Sequence, residues 1–353
     1  MRPDTKILIL TAGYGEGHNQ VSYALQQSFT KIGLNQVAII DLFQAAYPVM
    51  NEVTKLLYRY SLASSNIGIN YYGWSYNLTN RMPVNSIIAK WINSLGGGML
   101  MKIIKNANPD VLIYTFPFGN VRDRIEKLGI KLTTAAIITD FTVHRRWLYA
   151  RPDHYFVATE DVKQTLISQD VADSRITVTG IPIRESFQSQ QGSGKREKSI
   201  LVMAAACGGA SSLKSLIREL LLIPEVRIDV VCGRDSRLER KMSDEWGNEA
   251  RVRIYGFTDR MASLMREAAC IVTKAGGVTL SEAIYAGVPI FILRPFPGQE
   301  KENARYLESK GMAFVADTVQ DLAARMRLLF ALRQREAGND ASAAQSQAGG
   351  RIG

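Results

Sequence analysis

Short β-branched runs alternate with longer stretches of helical period along most of the chain. In the first half Ile7–Leu10, Gln36–Ile40, Val111–Tyr114, Thr134–Thr139, Tyr155–Ala158 and Ile176–Thr179 read as strands. Strands spaced by helical segments predict βαβ units and a parallel, doubly wound sheet. After Ile181-Pro182-Ile183 the period is lost in Gln188-Ser189-Gln190-Gln191-Gly192-Ser193-Gly194-Lys195, a composition suited to a linker. A second series then follows: Ser199–Met203, Arg227–Val231, Val252–Ile254, Cys270–Thr273 and Pro289–Leu293. The pattern predicts two Rossmann-like α/β domains, residues 1–185 and 199–337, joined by a linker at 186–198. Residues 338–353, rich in Ala, Gly, Ser and Gln, read as a disordered tail.

Both halves share a further device. The first strand of each runs into a glycine-bearing loop and then a helix: Thr11-Ala12-Gly13-Tyr14-Gly15-Glu16-Gly17-His18 in one, Ala204-Ala205-Ala206-Cys207-Gly208-Gly209-Ala210 in the other. Such loops let backbone N–H groups approach an anion at a helix N-terminus. The cleft beyond the strand C-termini is the expected ligand site. A tight turn needing positive φ explains either loop alone equally well.

Charge narrows the class of ligand. Among 353 residues, 43 Lys and Arg oppose 33 Asp and Glu, a formal net charge of +10 that favours an anionic partner. Nucleic acid, a membrane surface and a phosphorylated substrate all satisfy that. No nucleic-acid-binding module is recognisable, and the aromatic residues follow no stacking-platform motif. Cys207, Cys232 and Cys270 form no CxxC or His/Cys cluster, so a reducing cytoplasm is expected and no zinc site. The apolar run at Ile7–Leu10 is too short for a signal-peptide core. No run of about 18 apolar residues suggests a membrane span.

The densest constellation is Val272-Thr273-Lys274-Ala275-Gly276-Gly277-Val278-Thr279-Leu280-Ser281-Glu282-Ala283. A strand ends at Thr273, the paired glycines permit close backbone approach, and Val278 or Thr279 opens a helix whose free N–H groups suit a diphosphate. Glu282, one turn in, is placed to accept both hydroxyls of a ribose. Downstream, Pro295-Phe296-Pro297-Gly298-Gln299-Glu300-Lys301-Glu302-Asn303-Ala304 is a loop entering another helix, with polar side chains suited to sugar hydroxyls. This stretch resembles the donor site of GT-B glycosyltransferases. It is similar in particular to the family that unites the lipid-II N-acetylglucosaminyltransferase, plant monogalactosyldiacylglycerol synthases and bacterial processive diacylglycerol glucosyltransferases. The first glycine loop, Thr139-Asp140-Phe141-Thr142-Val143-His144-Arg145-Arg146-Trp147 and Thr179-Gly180-Ile181-Pro182-Ile183-Arg184 extend the resemblance, which runs from about Lys6 to Leu329. The latter two are closer to the diacylglycerol branch.

The resemblance implies an inverting transfer of a hexose, glucose before galactose, from a UDP-sugar to diacylglycerol or glycosyl-diacylglycerol, with processive addition open. It implies uracil near Phe257, diphosphate at Gly276, Gly277, Val278 and Thr279 with Gly208 beside it, ribose on Glu282, and the hexose at Gln299 and Glu300. Gly15, Gly17, His144 and Trp147 fall on the acceptor side. The loop Ala205-Ala206-Cys207-Gly208-Gly209 departs from plant members in having fewer glycines.

The reaction needs a base for the acceptor hydroxyl and support for the leaving UDP. His18 is one candidate, since imidazole titrates near neutrality. Asp140 is the other, as base or as orienter of an imidazole. No Asp-x-Asp occurs in the chain, so no metal and no other cofactor is expected, and helix N-termini carry the charge of the diphosphate. Rival readings are a Rossmann dehydrogenase using Asp41, a UDP-sugar epimerase, a transferase with a soluble acceptor, and a non-catalytic UDP-sugar sensor.

Between Met50 and Pro109 the basic side chains Lys55, Arg59, Arg81, Lys90, Lys102 and Lys105 face one acid, Glu52, and are interleaved with Trp74, Trp91 and five tyrosines. Tyr and Trp favour the headgroup level of a bilayer, and each Lys or Arg near an anionic leaflet contributes about 1 kcal/mol. This segment reads as a peripheral docking face on the inner side of the cell membrane, or as an amphipathic helix pair packed on the domain. Sedimentation with anionic liposomes separates the two: wild type is expected to pellet, and a Lys102→Glu/Lys105→Glu variant to bind less. Equal binding by both would remove these lysines from the docking face.

Overall fold

A computed structural model of the protein describes residues 2–13, 16–46, 97–127, 129–188 and 196–332. The first domain runs β1 (Ile7–Thr11), α1 (Glu16–Lys31), β2 (Val37–Asp41), α2 (Leu42–Ala46), α3 (Gly97–Ala107), β3 (Val111–Tyr114), α4 (Val121–Lys127), β4 (Thr133–Ile137), α5 (Arg146–Tyr149), β5 (His154–Val157), α6 (Glu160–Ile167) and β6 (Ile176–Val178). After the short α7 (Glu185–Gln188) the second domain runs β7 (Ser199–Met203), α8 (Ala210–Leu221), β8 (Arg227–Val231), α9 (Ser236–Trp246), β9 (Val252–Tyr255), α10 (Met261–Glu267), β10 (Cys270–Thr273), α11 (Gly277–Tyr285), β11 (Ile290–Leu293), α12 (Gln299–Ser309) and β12 (Ala313–Ala316). A last helix covers 319–332.

Each domain holds one six-stranded sheet, ordered β2-β1-β3-β4-β5-β6 and β12-β11-β10-β7-β8-β9. The strand pairings are parallel, from β1 with β2 to β8 with β9. This is the doubly wound α/β class that the alternating pattern predicts. Parallel strands covered by helices on both faces must be apolar along their whole length, and β1, β3, β10 and β11 are buried at every position. Four strands have the predicted bounds; the others shift by one or two residues. β12 lies outside the predicted set, because its Ala313-Phe314-Val315-Ala316 is short, alanine-rich and on the sheet edge, with Phe314 exposed. Helix α11 opens one residue earlier than predicted, at Gly277.

The strand orders fix where ligands go. In the first sheet the chain reverses direction across β1 and β3, in the second across β7 and β10. These are the topological switch points, where neighbouring loops part and leave a crevice. The loops after β1 and β3, and after β7 and β10, include both glycine loops and Lys274-Ala275-Gly276.

The domains meet face to face. One apolar cluster is continuous across them, joining Ile9, Val21 and Phe141 to Val278, Leu280 and Ala304, whereas two others stay within single domains. Phe141 stacks on Tyr306 with ring centroids 5.9 Å apart. On α12 the residues facing the first domain recur at helical spacing: Gln299, Asn303, Tyr306 and, just past its end, Lys310. Gln299 Nε2 lies 3.5 Å from the Thr142 carbonyl, Asn303 contacts Asp140 and Phe141, and the Tyr306 hydroxyl and Lys310 ammonium both reach Asp161.

The predicted linker is packed at both described ends. Phe187 is buried, and Arg266 donates to the Ser186 and Phe187 carbonyls at 2.7 and 2.9 Å. Arg196 donates to the carbonyls of Ala268 and Ala286 at 2.9 and 2.8 Å. Residues 189–195, the tail at 338–353, Gly15, and the docking-face residues Lys55, Arg59, Trp74, Arg81, Lys90 and Trp91 lie outside the described residues.

Gly277 shows how close the domains come. A Cβ there would run into the Thr139 carbonyl oxygen, which is backbone and cannot rotate away. Gly277→Ala is therefore expected to leave the second domain folded, as seen by circular dichroism, while holding the domains apart. Misplacing reacting groups by an ångström costs about a hundredfold in rate, so transfer should fall by about that factor; a fully active variant would show that this contact is dispensable.

Candidate active site

Two titratable groups of the first domain stand beyond the C-terminal ends of its strands, one after β1 and one after β4. His18 lies on the first turn of α1. Its Nδ1 is 2.7 Å from the Thr115 carbonyl oxygen and 3.2 Å from Thr139 Oγ1. A carbonyl can only accept, so Nδ1 carries the proton and Nε2 the lone pair. Phe116 closes on the ring edge-to-face at 5.2 Å. Thr115 is itself fixed, its Oγ1 lying 3.0 Å from Ser22 Oγ. Burial pushes the His18 pKa down to about 4, against the opposing effect of the Thr115 hydrogen bond, so the ring is neutral at physiological pH.

Asp140 follows β4. Burial pushes its pKa up to about 6; the Asn303 hydrogen bond opposes this, the nearby Glu300 adds to it, and a Gln299 hydrogen bond opposes it. The carboxylate does not orient His18 through Nδ1, because Thr115 occupies that nitrogen. The first glycine loop is anchored from below: Asp41 Oδ2 accepts from the Gly13 N–H at 2.8 Å, and Oδ1 accepts from Phe43 and Gln44 at the start of α2. Asp41 is thus committed to the fold, which removes the residue on which the dehydrogenase reading rests.

The second domain meets these groups with its β10 loop and the start of α11, where Gly277 approaches Thr139 and Asp140 and Val278 approaches Gly17; its β7 loop lies at the switch point beside them. Gly208 and Gly209 have φ of +69° and +153°, and Gly209 precedes α8 with no atom near its Cβ position. Gly276 likewise faces open space, and after it the first N–H groups of α11 lack intrahelical acceptors. Val278 and Thr279 occupy its first turn; Val278 is buried and Thr279 half-buried. Phe257, just after β9, is 61% exposed, with the Arg234 guanidinium 4.8 Å from its ring centroid. An exposed aromatic face of this kind suits a flat base.

Glu282 is buried and gripped by Arg184, whose Nε and second terminal nitrogen donate to its two oxygens at 2.6 and 2.8 Å. Sequence reasoning named Glu282 without this partner. An ionised carboxylate accepts about four hydrogen bonds, so the grip leaves lone pairs for a diol. On α12, Glu300 Oε1 accepts from Lys274 at 3.1 Å. Its Oε2 is buried and accepts no hydrogen bond among the described residues. A buried orphan oxygen calls for a donor, and a sugar hydroxyl is one.

Three predicted acceptor residues are placed otherwise. Trp147 is 1% exposed within the core of the first domain, because α5 turns its ring inward. His144 is buried, and its Nδ1 accepts from the Arg146 N–H at 3.2 Å. Gly17 faces the partner domain, its Cβ position 3.5 Å from a Val278 methyl. Arg184 and Asn303 both lie in stretches that the sequence singles out, but neither has a role of its own there. The spacing of Asn303, one turn beyond Gln299 on the same helix, is the signal that groups it with the cleft-facing residues.

Two facing Rossmann-like domains with these loops at the cleft define a GT-B glycosyltransferase architecture. The sequence profile of monogalactosyldiacylglycerol synthase matches residues 18–183, and that of the glycosyltransferase family 28 C-terminal domain matches residues 206–348. The chain is 35% identical over 341 residues to a processive diacylglycerol beta-glucosyltransferase of Bacillus mycoides, spanning 94% of this chain and 87% of that one. It belongs to this diacylglycerol glycosyltransferase family. Among solved structures, the glycotransferase of kitacinnamycin superposes with TM-score 0.60 at 16% identity, covering 93% and 90% of the two chains. MurG of Acinetobacter baumannii superposes with TM-score 0.56 at 17% identity, covering 92% of each. These two likenesses show the shared fold.

The titration of the site gives a direct check. A base works unprotonated, so activity falls as pH drops through its pKa, and kcat/KM reports the free enzyme. Loss of kcat/KM below about pH 6 is expected if Asp140 must be ionised. Asp140→Asn should abolish that limb and leave only a decline near pH 4, where His18 protonates. A wild-type profile flat from pH 8 to 5 would show that the Asp140 charge is not required.

Proposed function

We propose that this protein transfers glucose from UDP-glucose to the free hydroxyl of diacylglycerol with inversion at the anomeric carbon. The observation that carries the proposal is the facing of His18, with its free Nε2, and the donor loops of a chain 35% identical to a processive diacylglycerol beta-glucosyltransferase. The acceptor oxygen attacks C1 of the hexose, the C1–O bond to UDP breaks, and the acceptor proton passes to His18 Nε2. Because the ring is neutral and its tautomer preset, the lone pair is available without prior proton loss. Asp140, ionised above about pH 6, sets negative charge beside Gln299 and Glu300, where the sugar ring gains positive charge in the transition state. The UDP lies along α11, with its base at Phe257, its ribose at Glu282 and its diphosphate at the amides following Gly276 and near Gly208. The hexose contacts Gln299 and the orphan oxygen of Glu300.

No divalent ion is required in this reading, since the α11 N-terminus and the loop amides meet the charge of the departing diphosphate. The enzyme works as a peripheral protein on the cytoplasmic face of the membrane. Among the described residues no helix is long and apolar enough to cross a bilayer, and Lys102 and Lys105 are exposed on α3.

Purified protein with diacylglycerol vesicles and a panel of UDP-hexoses tests the proposal, with products resolved by mass. Glucosyl-diacylglycerol is expected from UDP-glucose, unchanged by EDTA, and His18→Ala should lower kcat more than about a hundredfold. Interconversion of UDP-hexoses without lipid would establish an epimerase, and tight UDP-sugar binding without turnover a sensor. An unchanged kcat with a raised acceptor KM in His18→Ala would remove His18 as the base. A strict metal requirement at the chemical step would refute the amide-only account of the leaving group.

A further inference from the structure

We propose that Asn303 is a positioning residue that assembles Asp140 for the transfer and couples it to the donor-binding helix, so that the carboxylate is set only when the domains are together. The inference rests on the functional reading above and extends it to a residue outside the substrate contacts. Asn303 sits on α12 in the second domain and is fully buried. Its Nδ2 donates to Asp140 Oδ1 at 2.9 Å and to the Ala275 carbonyl at 3.0 Å, while its Oδ1 accepts from the Phe141 N–H at 3.0 Å. Two of these partners lie on the first domain and one on the loop that opens α11.

A buried amide is retained only where its bonds are made, since an unpaired one costs more than an apolar side chain of the same shape. A mechanical pin between the domains needs only the two backbone bonds. The bond to Asp140 does something else, because it favours the charged form of a carboxyl group that burial drives toward neutrality.

The charged surroundings of Asp140 make that bond decisive. Glu300, on the same helix as Asn303, opposes ionisation and is paired with Lys274 at the end of β10. On α11, Glu282 is paired with Arg184. From α1, His18 is neutral above about pH 4. The bonds favouring the Asp140 carboxylate come from Asn303 and Gln299, both on α12. Moving α12 away from the first domain therefore removes both at once. The helix carrying the hexose contacts Gln299 and Glu300 thus carries, one turn on, the group that readies the acceptor-side carboxylate.

Asn303→Leu, which keeps the volume and excludes water, tests this beside wild type, Asp140→Asn and the double variant. A hydrogen bond to a charged group is equivalent to about one pKa unit or more, so the acidic limb of kcat/KM in Asn303→Leu is expected to move up by about that much. At pH 6, where that shift takes the ionised fraction from about a half to about a tenth, kcat should fall about fivefold, and only about twofold at pH 7, while the KM for UDP-glucose stays within about threefold. In the Asp140→Asn background the same change should cost little more, whereas a purely structural role would lower activity by its full factor in both backgrounds. An unmoved limb, or full additivity, overturns the proposal. If Asn303→Leu does not fold, Asn303→Ala, which has no side-chain donor, takes its place and is held to the same limb shift. A wild-type protein that glucosylates no lipid refutes the functional reading instead. The Asn303 link is then decided by the Asp140 titration itself, followed by carboxyl 13C NMR, which must rise in the variant.

Discussion

The rest of the molecule depends on the close backbone approach of the segment after β4 to the starts of α11 and α12. Thr139 presents its carbonyl to Gly277, Phe141 gives its N–H to Asn303 and its ring to Tyr306, and Asp140 is captured between them. Each contact needs the others: the carbonyl tolerates only a glycine opposite, and the amide of Asn303 is satisfied only where Phe141 and Ala275 converge. The apolar cluster that crosses the interface supplies the non-directional part of the attraction. The cleft formed this way holds two titratable groups, His18 and Asp140, half-buried and partly desolvated.

Desolvation then acts in opposite senses on those groups. It disfavours whichever form is charged, so it pulls His18 down to about 4 and pushes Asp140 up to about 6. Between those values, and above them, the imidazole is neutral. Above the higher one the carboxylate is ionised. Near neutrality the imidazole is therefore uncharged and the carboxylate charged, an outcome of their shared desolvation rather than of any direct bond between them among the described residues.

The fold was largely legible because parallel strands buried on both faces announce themselves as continuous apolar runs. Val111–Tyr114 and Cys270–Thr273 leave no alternative reading, whereas Ala313–Ala316 was missed because an edge strand need not be strongly apolar. The glycine pair that opens α11 is legible for a related reason: Gly276 and Gly277 mark backbone geometry directly in the sequence. Of the two, Gly277 answers to the Thr139 carbonyl across the interface, a cause that no local pattern contains. The acceptor side was read less well. Trp147 and His144 sit among cleft residues in sequence but are buried, Trp147 on α5 and His144 in the loop before it, and the facing of single residues on a short helix or loop is set by tertiary packing. The pairings of Arg184 and Asn303 are not legible in the sequence because their partners, Glu282 and Asp140, are 98 and 163 residues away.

Helix α12 carries one stripe of residues, Gln299, Asn303, Tyr306 and Lys310, that faces the other domain, and Glu300 beside it. On the proposed placement of the hexose, sugar choice and domain seating share the same rigid rod. A lineage changing its donor hexose through this helix cannot retune one without disturbing the other. Successful changes of sugar should therefore arrive in pairs, one substitution near 299 or 300 and a compensating one on the opposing surface around Thr142 or Asp161.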